Sequence, residues 1–422
     1  MGEAKFTPVS MGGSQVGMNK DVKYVPALPE GLSSAGWSIH GGKFSPKDTY
    51  NPRLGYTPTW SLNNINPQHP YREYTLDWWT DTAIFRYDSL LVSAFYGLSI
   101  WEFRDFYKIP RKNFLFFADS GGFQADTQGV EVNPVAVLKW MEYNADVGMT
   151  LDLPAPVVQK LSESSLEYKI WEDAADRSYR DYAAMHRARQ SDKLQLLKVM
   201  HGDSIGHIEM WYKKMADLEF DGIAVSPHPT NEKGIAYHLA EAALHDEKIV
   251  HCFLGTGMNT LPIHMYAKKY FKRLTFDSAS FSLQGAKFRS FVYPFNPGKA
   301  LNFGGSYNST LKRLPCSCPV CSITTPEIMN IDIASERDAK RRSLPGGLLA
   351  LHNLHAWLVY IDFLDALADS RDDYMAYLKS ECPPETTRAI EFIDLAMEKG
   401  IEVAQRLIYE EDSTRNVNGM FV

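Results

Sequence analysis

The sequence predicts an α/β fold, a (β/α)8 barrel with an N-terminal extension and a C-terminal zinc-binding helical module, from three observations. Short apolar runs alternate with amphipathic helical segments through the middle of the chain, polar residues follow several of those runs directly, and a tight cysteine cluster comes after them. Alternating strand and helix implies a parallel sheet, and about eight such units imply closure into a barrel. An open doubly wound sheet fits less well, because no Gly-rich dinucleotide fingerprint follows an early strand.

Residues 1–80 are rich in Gly, Pro, Asn and Ser with scattered aromatics, which predicts an extension of loops and short strands. Residues 81–300 are assigned to the barrel, with strands expected in LLVSAFY (90–96), NFLFFAD (113–119), VGMTLDL (147–153), LQLLKVMHG (194–202), GIAVS (222–226), KIVHCFLG (248–255), LTFDS (274–278) and SFVYP (290–294). Helices are expected between them, for example over 133–146 and 204–220, where apolar residues recur at spacings of three and four. Residues 301–360 read as the zinc module, and 361–422 as helices packing on the barrel, including one over 386–408.

The formal net charge of −7 over 422 residues excludes a protein that coats nucleic acid by bulk positive charge, and leaves room for a local basic groove. Basic runs occur at KKYFKR (268–273), Lys287 with Arg289, Lys312 with Arg313, and KRR (340–342). No run approaches the roughly 20 apolar residues that span a bilayer, and MGEAKFTPVSMGG has no apolar leader core. A soluble cytoplasmic protein without a membrane partner is expected.

Asp119, Asp152, His201 and Asp277 each end an apolar run. In a barrel those positions open onto the C-terminal face, where barrel enzymes place their chemistry. Each Asp alone would serve equally as a helix N-cap. Taken together, three carboxylates and an imidazole at one mouth favour catalysis, in which one carboxylate attacks a sugar carbon and another exchanges a proton with the leaving group. Asp119 opens DSGGFQ, whose paired glycines allow positive φ or a close approach to the backbone.

Cys316, Cys318 and Cys321 form Cys-x-Cys-x2-Cys, the chemistry of a metal site rather than a disulfide framework. Three thiolates and one imidazole complete a closed, structural zinc shell. His352 and His355 in LHNLH both compete for the fourth position.

DSGGFQ (119–124), LGTG (254–257), FD (276–277), CSCPVC and HNL (352–354) together resemble the tRNA-guanine transglycosylase family, over roughly residues 85–360. That resemblance implies a zinc-bearing barrel enzyme, a pentosyltransferase that exchanges guanine in a nucleic acid for a free 7-deazaguanine base. It would make Asp277 the nucleophile and Asp119 the general acid/base, with His352 as the zinc histidine. Base binding would fall to Ser120, Gly121, Gly122, Phe123, Asp152, His201, Ser226, Leu254 and Gly255. Three departures stand out: SASFSLQGAKFR replaces the tRNA-reading segment after the nucleophile, His201 replaces a Gln, and Ser226-Pro227 replaces a Gly-Gly turn. They look more like the DNA-modifying branch, which implies a DNA-guanine transglycosylase inserting 7-cyano-7-deazaguanine or a relative, in a host cytoplasm if the source is viral. The basic runs would then contact phosphates. A divergent tRNA enzyme and a non-catalytic nucleic-acid-binding partner subunit are the alternatives, and a homodimer or a helicase-like partner is left open.

Overall fold

A computed structural model describes residues 22–27, 77–81, 83–98, 100–152, 164–227, 231–253, 257, 259–288, 290–293, 296–303, 313–329 and 339–410. Strands β1 (Val22–Pro26), β2 (Ser89–Ser93), β3 (Leu115–Asp119), β4 (Val147–Met149), β5 (Gln195–Gly202), β6 (Gly222–Pro227), β7 (Ile249–Cys252) and β8 (Arg273–Ser278) form one sheet. The order is β1-β8-β7-β6-β5-β4-β3-β2, and each registered pair is parallel. A parallel bridge from Ala27 to Leu91 brings β1 to β2 and nearly closes the barrel.

Two expectations change here. Ser290–Tyr293 (β9), the core of SFVYP, pairs antiparallel with Asn296–Asn302 (β10) in a separate two-stranded sheet. The eighth barrel strand is instead β1, VKYVP, so the barrel begins upstream of residue 81. Its run is short and ends in proline, which a sheet tolerates at a strand terminus. What secures it is non-local: the Tyr24 carbonyl accepts from the Tyr87 hydroxyl at 2.6 Å and from Ser89 Oγ at 3.1 Å, and Lys23 pairs with Asp88 at 2.7 Å.

The helices that connect and cover the strands include α1 (Gly122–Gln128), α2 (Pro134–Asn144), α3 (Ser164–Ala188), α4 (Ile205–Lys214), α5 (Glu232–Leu244) and α6 (Leu261–Ala267). Asn133 caps α2 by accepting from the Val135 and Ala136 amides, and Pro134 fills the first position, where no N–H is needed. After the hairpin come α7 (Ala339–Leu367), α8 (Arg371–Glu381) and α9 (Pro384–Lys399). The helix expected over 386–408 is interrupted at Gly400, whose φ of 91° only glycine adopts readily.

The segment Gly346–Leu367 of α7 is long and apolar enough to cross a membrane by length and composition, which the sequence reading had not anticipated. Its apolar residues are spent on the core: Leu348, Leu349, Leu354 and Trp357 are fully buried, and the Trp357 ring lies 5.6 Å from that of Tyr24 in β1. It is the core helix that holds the C-terminal region on the barrel.

Candidate active site

Register delivers the predicted residues to one face. Asp119 pairs across β3 with Ser93, His201 across β5 with Ser226, and Asp277 across β8 with Val25, all at the C-terminal ends of their strands. Asp152 follows β4 on the same side. Leu254 and Gly255 lie outside the described residues.

Asp152 is held from both sides. Ser120 Oγ donates to its Oδ1 at 2.9 Å, and His201 Nε2 meets its Oδ2 at 2.8 Å. The Gly122 amide donates in turn to Ser120 Oγ at 3.3 Å, tying the turn after β3 to the end of β4. The paired glycines now have separate reasons. Gly121 sits at φ 82°, where a side chain is strained, and Gly122 lies so close to Asp152 that an added Cβ would stand 1.9 Å from its carbonyl oxygen. The close approach that DSGGFQ permits is therefore to the protein's own chain. Phe123 projects from α1 with 58% of its surface exposed.

Burial raises the pKa of Asp119 to about 7, the negative charges of Asp152 and Asp277 add to the rise, and hydrogen bonds from the Gly121 amide and Ser93 hydroxyl moderate it. Asp119 thus holds a proton near neutrality. Asp277 is almost fully buried, and His251 Nε2 lies 3.2 Å from its Oδ1. His251 escaped the sequence reading: it is the one imidazole in the β7 run IVHC, and its partner is on the next strand. Ser93 escaped it too, since only its register with Asp119 marks it.

Cys316, Cys318, Cys321 and His352 bring their ligand atoms within 4.8 Å of one another. His352 Nδ1 lies 3.3 Å from both Cys318 Sγ and Cys321 Sγ, while Nε2–H donates to the Val292 carbonyl at 2.9 Å and fixes the tautomer a metal needs. The donor set suits Zn2+ in a closed tetrahedral shell. His355 faces the Phe85 ring instead, which decides between the two histidines. Asn353 binds the Phe281 and Ser290 carbonyls and accepts from the Val292 amide, so the His-Asn pair stitches α7 to β9 and to the segment after β8.

The basic run KKYFKR does not reach this mouth. It lies at the N-terminal end of β8, whereas Asp277 lies near the other end. Lys268 pairs with Asp365, Lys269 with Asp394 at 3.4 Å and over the Tyr266 ring, and Arg273 with Gln195. Two of its four cations thus tie the barrel to α7 and α9. The side chains of Lys287 and of Lys340, Arg341 and Arg342, and all of Arg289 and Lys312, lie outside the described residues.

Fold and site together define a class: a (β/α)8 barrel with carboxylates at its C-terminal mouth and a Cys3His centre beside it. The curated proteins it is similar to carry the name tRNA-guanine(15) transglycosylase. They include those of Methanocaldococcus jannaschii, 26% identical over 275 residues, Methanococcus aeolicus, 28% over 255, and Methanobrevibacter smithii, 29% over 259. The matches cover 61%, 56% and 56% of this chain but 37%, 34% and 34% of the relatives, so the chain spans about a third of the length of the curated proteins it matches. No family model matches. Over that span the chain is similar to proteins named tRNA-guanine(15) transglycosylase.

Proposed function

We propose that the protein is a nucleic-acid guanine transglycosylase working through a glycosyl-aspartate intermediate. The observation that carries this reading is the unequal pair of acids at one mouth: Asp119 with its pKa near 7, and Asp277 against an imidazole. Asp277 attacks C1′ of the target nucleotide, the C1′–N9 bond breaks, and the departing guanine takes the proton of Asp119. The incoming base returns a proton to Asp119 and attacks C1′, releasing Asp277. Asp152, fixed by Ser120 and His201, would hold the base edge, and Phe123 would stack on it. Stacking offsets part of the cost of extruding the base.

The relatives' name supports tRNA as the polymer, with a free guanine-like base as the second substrate. DNA, which the sequence reading favoured, becomes the second reading. It draws support from SASFSLQGAKFR after Asp277 and from Ser226-Pro227. Zinc at Cys316, Cys318, Cys321 and His352 would cross-link the region after the barrel to α7 and supply no step of the reaction. Metal analysis should find one zinc per chain, lost in Cys318→Ser.

Radiolabelled guanine or 7-cyano-7-deazaguanine, mixed with bulk tRNA or duplex DNA at one stated salt concentration, tests the reading. Label entering tRNA, and not in Asp277→Ala, is the expected result. Label confined to DNA would restore the second reading. Absence of label from both polymers would turn attention to a binding subunit.

A further inference from the structure

The two most exposed large apolar side chains among the described residues are Phe288, at 60%, and Phe123, at 58%, and both stand on segments that leave strand ends at the mouth. Phe123 belongs to the proposed base pocket. Phe288 does not, and neither does Leu283, which is 44% exposed. These two are neighbours: Leu283–Lys287 makes one π-helical turn, which the Phe288 amide closes by donating to the Leu283 carbonyl at 3.1 Å. At a helical rise of about 1.5 Å per residue, Leu283 stays within roughly 10 Å of the end of β8.

The turn that carries the pair is anchored on both sides. Asn353 of α7 donates to the Phe281 carbonyl before it at 3.3 Å and to the Ser290 carbonyl after it at 2.9 Å. Between them Gly285 presses on α7 so closely that an added Cβ would stand 2.3 Å from the Ala350 nitrogen. An apolar pair fixed in water binds a partner at little cost in ordering. Charge indicates the partner. The 38 residues from Ser278 to Pro315 contain Lys287, Arg289, Lys299, Lys312 and Arg313 and no Asp or Glu, in a chain that has 51 acids and a net charge of −7. A polyanion suits that segment better than a second copy of an acidic chain does.

We propose that Leu283 and Phe288 form an apolar wedge that enters the base stack of the nucleic acid where the target nucleotide leaves it. This deepens the proposed function and rests on that reading for the extrusion. Extruding a nucleotide strips its neighbours of their stacking contacts, and apolar side chains inserted at the step replace them and oppose the return of the base. The wedge and Phe123 would then act on the two products of one event, the vacated stack and the extruded base. Paired RNA and paired DNA offer the same stacked faces, so the wedge fits either polymer.

The first test needs no turnover. With p-cyanophenylalanine in place of Phe288, the nitrile stretch should be water-like in the free protein and should move to its apolar position on saturation with bulk tRNA or with duplex DNA. It should stay water-like with polyuridylate, which has no paired stack to enter. An apolar band without polymer, rising with protein concentration, would mean that a second copy covers the pair and would overturn the proposal. So would a band unmoved by both paired polymers.

The second test is single-turnover labelling of the polymer. Phe288→Ala should slow it by about 10-fold and the double variant with Leu283→Ala by about 100-fold, while Phe288→Trp, which keeps a ring, should restore most of the rate. Melting temperature and the salt dependence of binding should stay as in the wild type, because neither core packing nor a phosphate contact is lost. Wild-type labelling by the double variant would leave the reaction standing and overturn the wedge, as would a failure of Trp to rescue. If the nitrile band moves with a paired polymer but wild-type protein labels neither, the wedge stands as a binding surface and the proposed reaction falls.

Discussion

The two ends of the barrel treat charge in opposite ways. At the N-terminal end cations meet anions and carbonyls. Buried Arg104 donates to both oxygens of Asp146 at 3.0 Å, to the Asn144 carbonyl at 3.2 Å and to that of Pro110 at 2.5 Å. Arg189 joins Asp221 at 2.7 Å, and that carboxylate also accepts from the Leu196 amide at the edge of β5. At the C-terminal end, Asp119, Asp152 and Asp277 meet histidines, hydroxyls and a backbone amide. One end spends its charges on holding strands in place, and the other keeps them adjustable. Conservative substitutions at the two ends should therefore fail in different ways.

The largest effect is expected at Asp277. Asp277→Asn should lower turnover by on the order of 10⁴-fold, because it removes the carboxylate that forms the covalent bond in the proposed reaction. Asn has the shape and volume of Asp, so the variant should melt close to the wild-type temperature. A loss of both activity and stability would place Asp277 with the scaffold. Arg104→Ala is the opposite case. It leaves Asp146 and two carbonyls without their partner and should cost roughly 3–5 kcal/mol of stability, read from urea midpoints, with turnover per folded molecule unchanged. A fall in turnover without loss of stability would break the division between the ends.

Asp119 gives the next effect and tests the division from within the mouth. Asp119→Asn should reduce turnover by about 100-fold and remove the alkaline limb near pH 7 that its raised pKa predicts. The linked stability has a definite sign. A carboxyl that holds its proton more tightly when folded stabilises the native state in acid, and that contribution is lost as pH rises from the unfolded value through about 7. Asn at 119 should therefore raise the melting temperature at pH 8 and change it little at pH 4.

How much of this was legible depends on how far away the cause lies. Asp119, Asp152, His201 and Asp277 were legible because a polar residue directly after an apolar run is a local signature, and Cys316, Cys318 and Cys321 because their spacing is local too. Strand β1 was not, since VKYVP is secured by Tyr87, Ser89 and Asp88, more than 60 residues on. Gly122 announces a close approach, but what approaches is the Asp152 carbonyl at the end of another strand. His251 read as one more residue of a buried strand until Thr275 and Asp277 stood beside it.

KKYFKR shows the same limit from the other side. As a local pattern it resembles a phosphate-binding run, but the acids that occupy Lys268 and Lys269 are 97 and 125 residues away. Partly exposed ion pairs of this kind contribute on the order of 1 kcal/mol, so Lys268→Ala and Lys269→Ala should each move stability slightly, and Lys272→Ala less. Their sharper use is with nucleic acid. A cation that neutralises a phosphate adds about one to the slope of log affinity against log salt. If polymer meets only the carboxylate mouth, the triple variant should bind tRNA with the wild-type slope. A slope reduced by two or three would mean that the strand wraps round to the N-terminal end, displacing Asp365 and Asp394 from their partners. The scaffold end would then take part in binding, and the division between the two ends would hold for the chemistry alone.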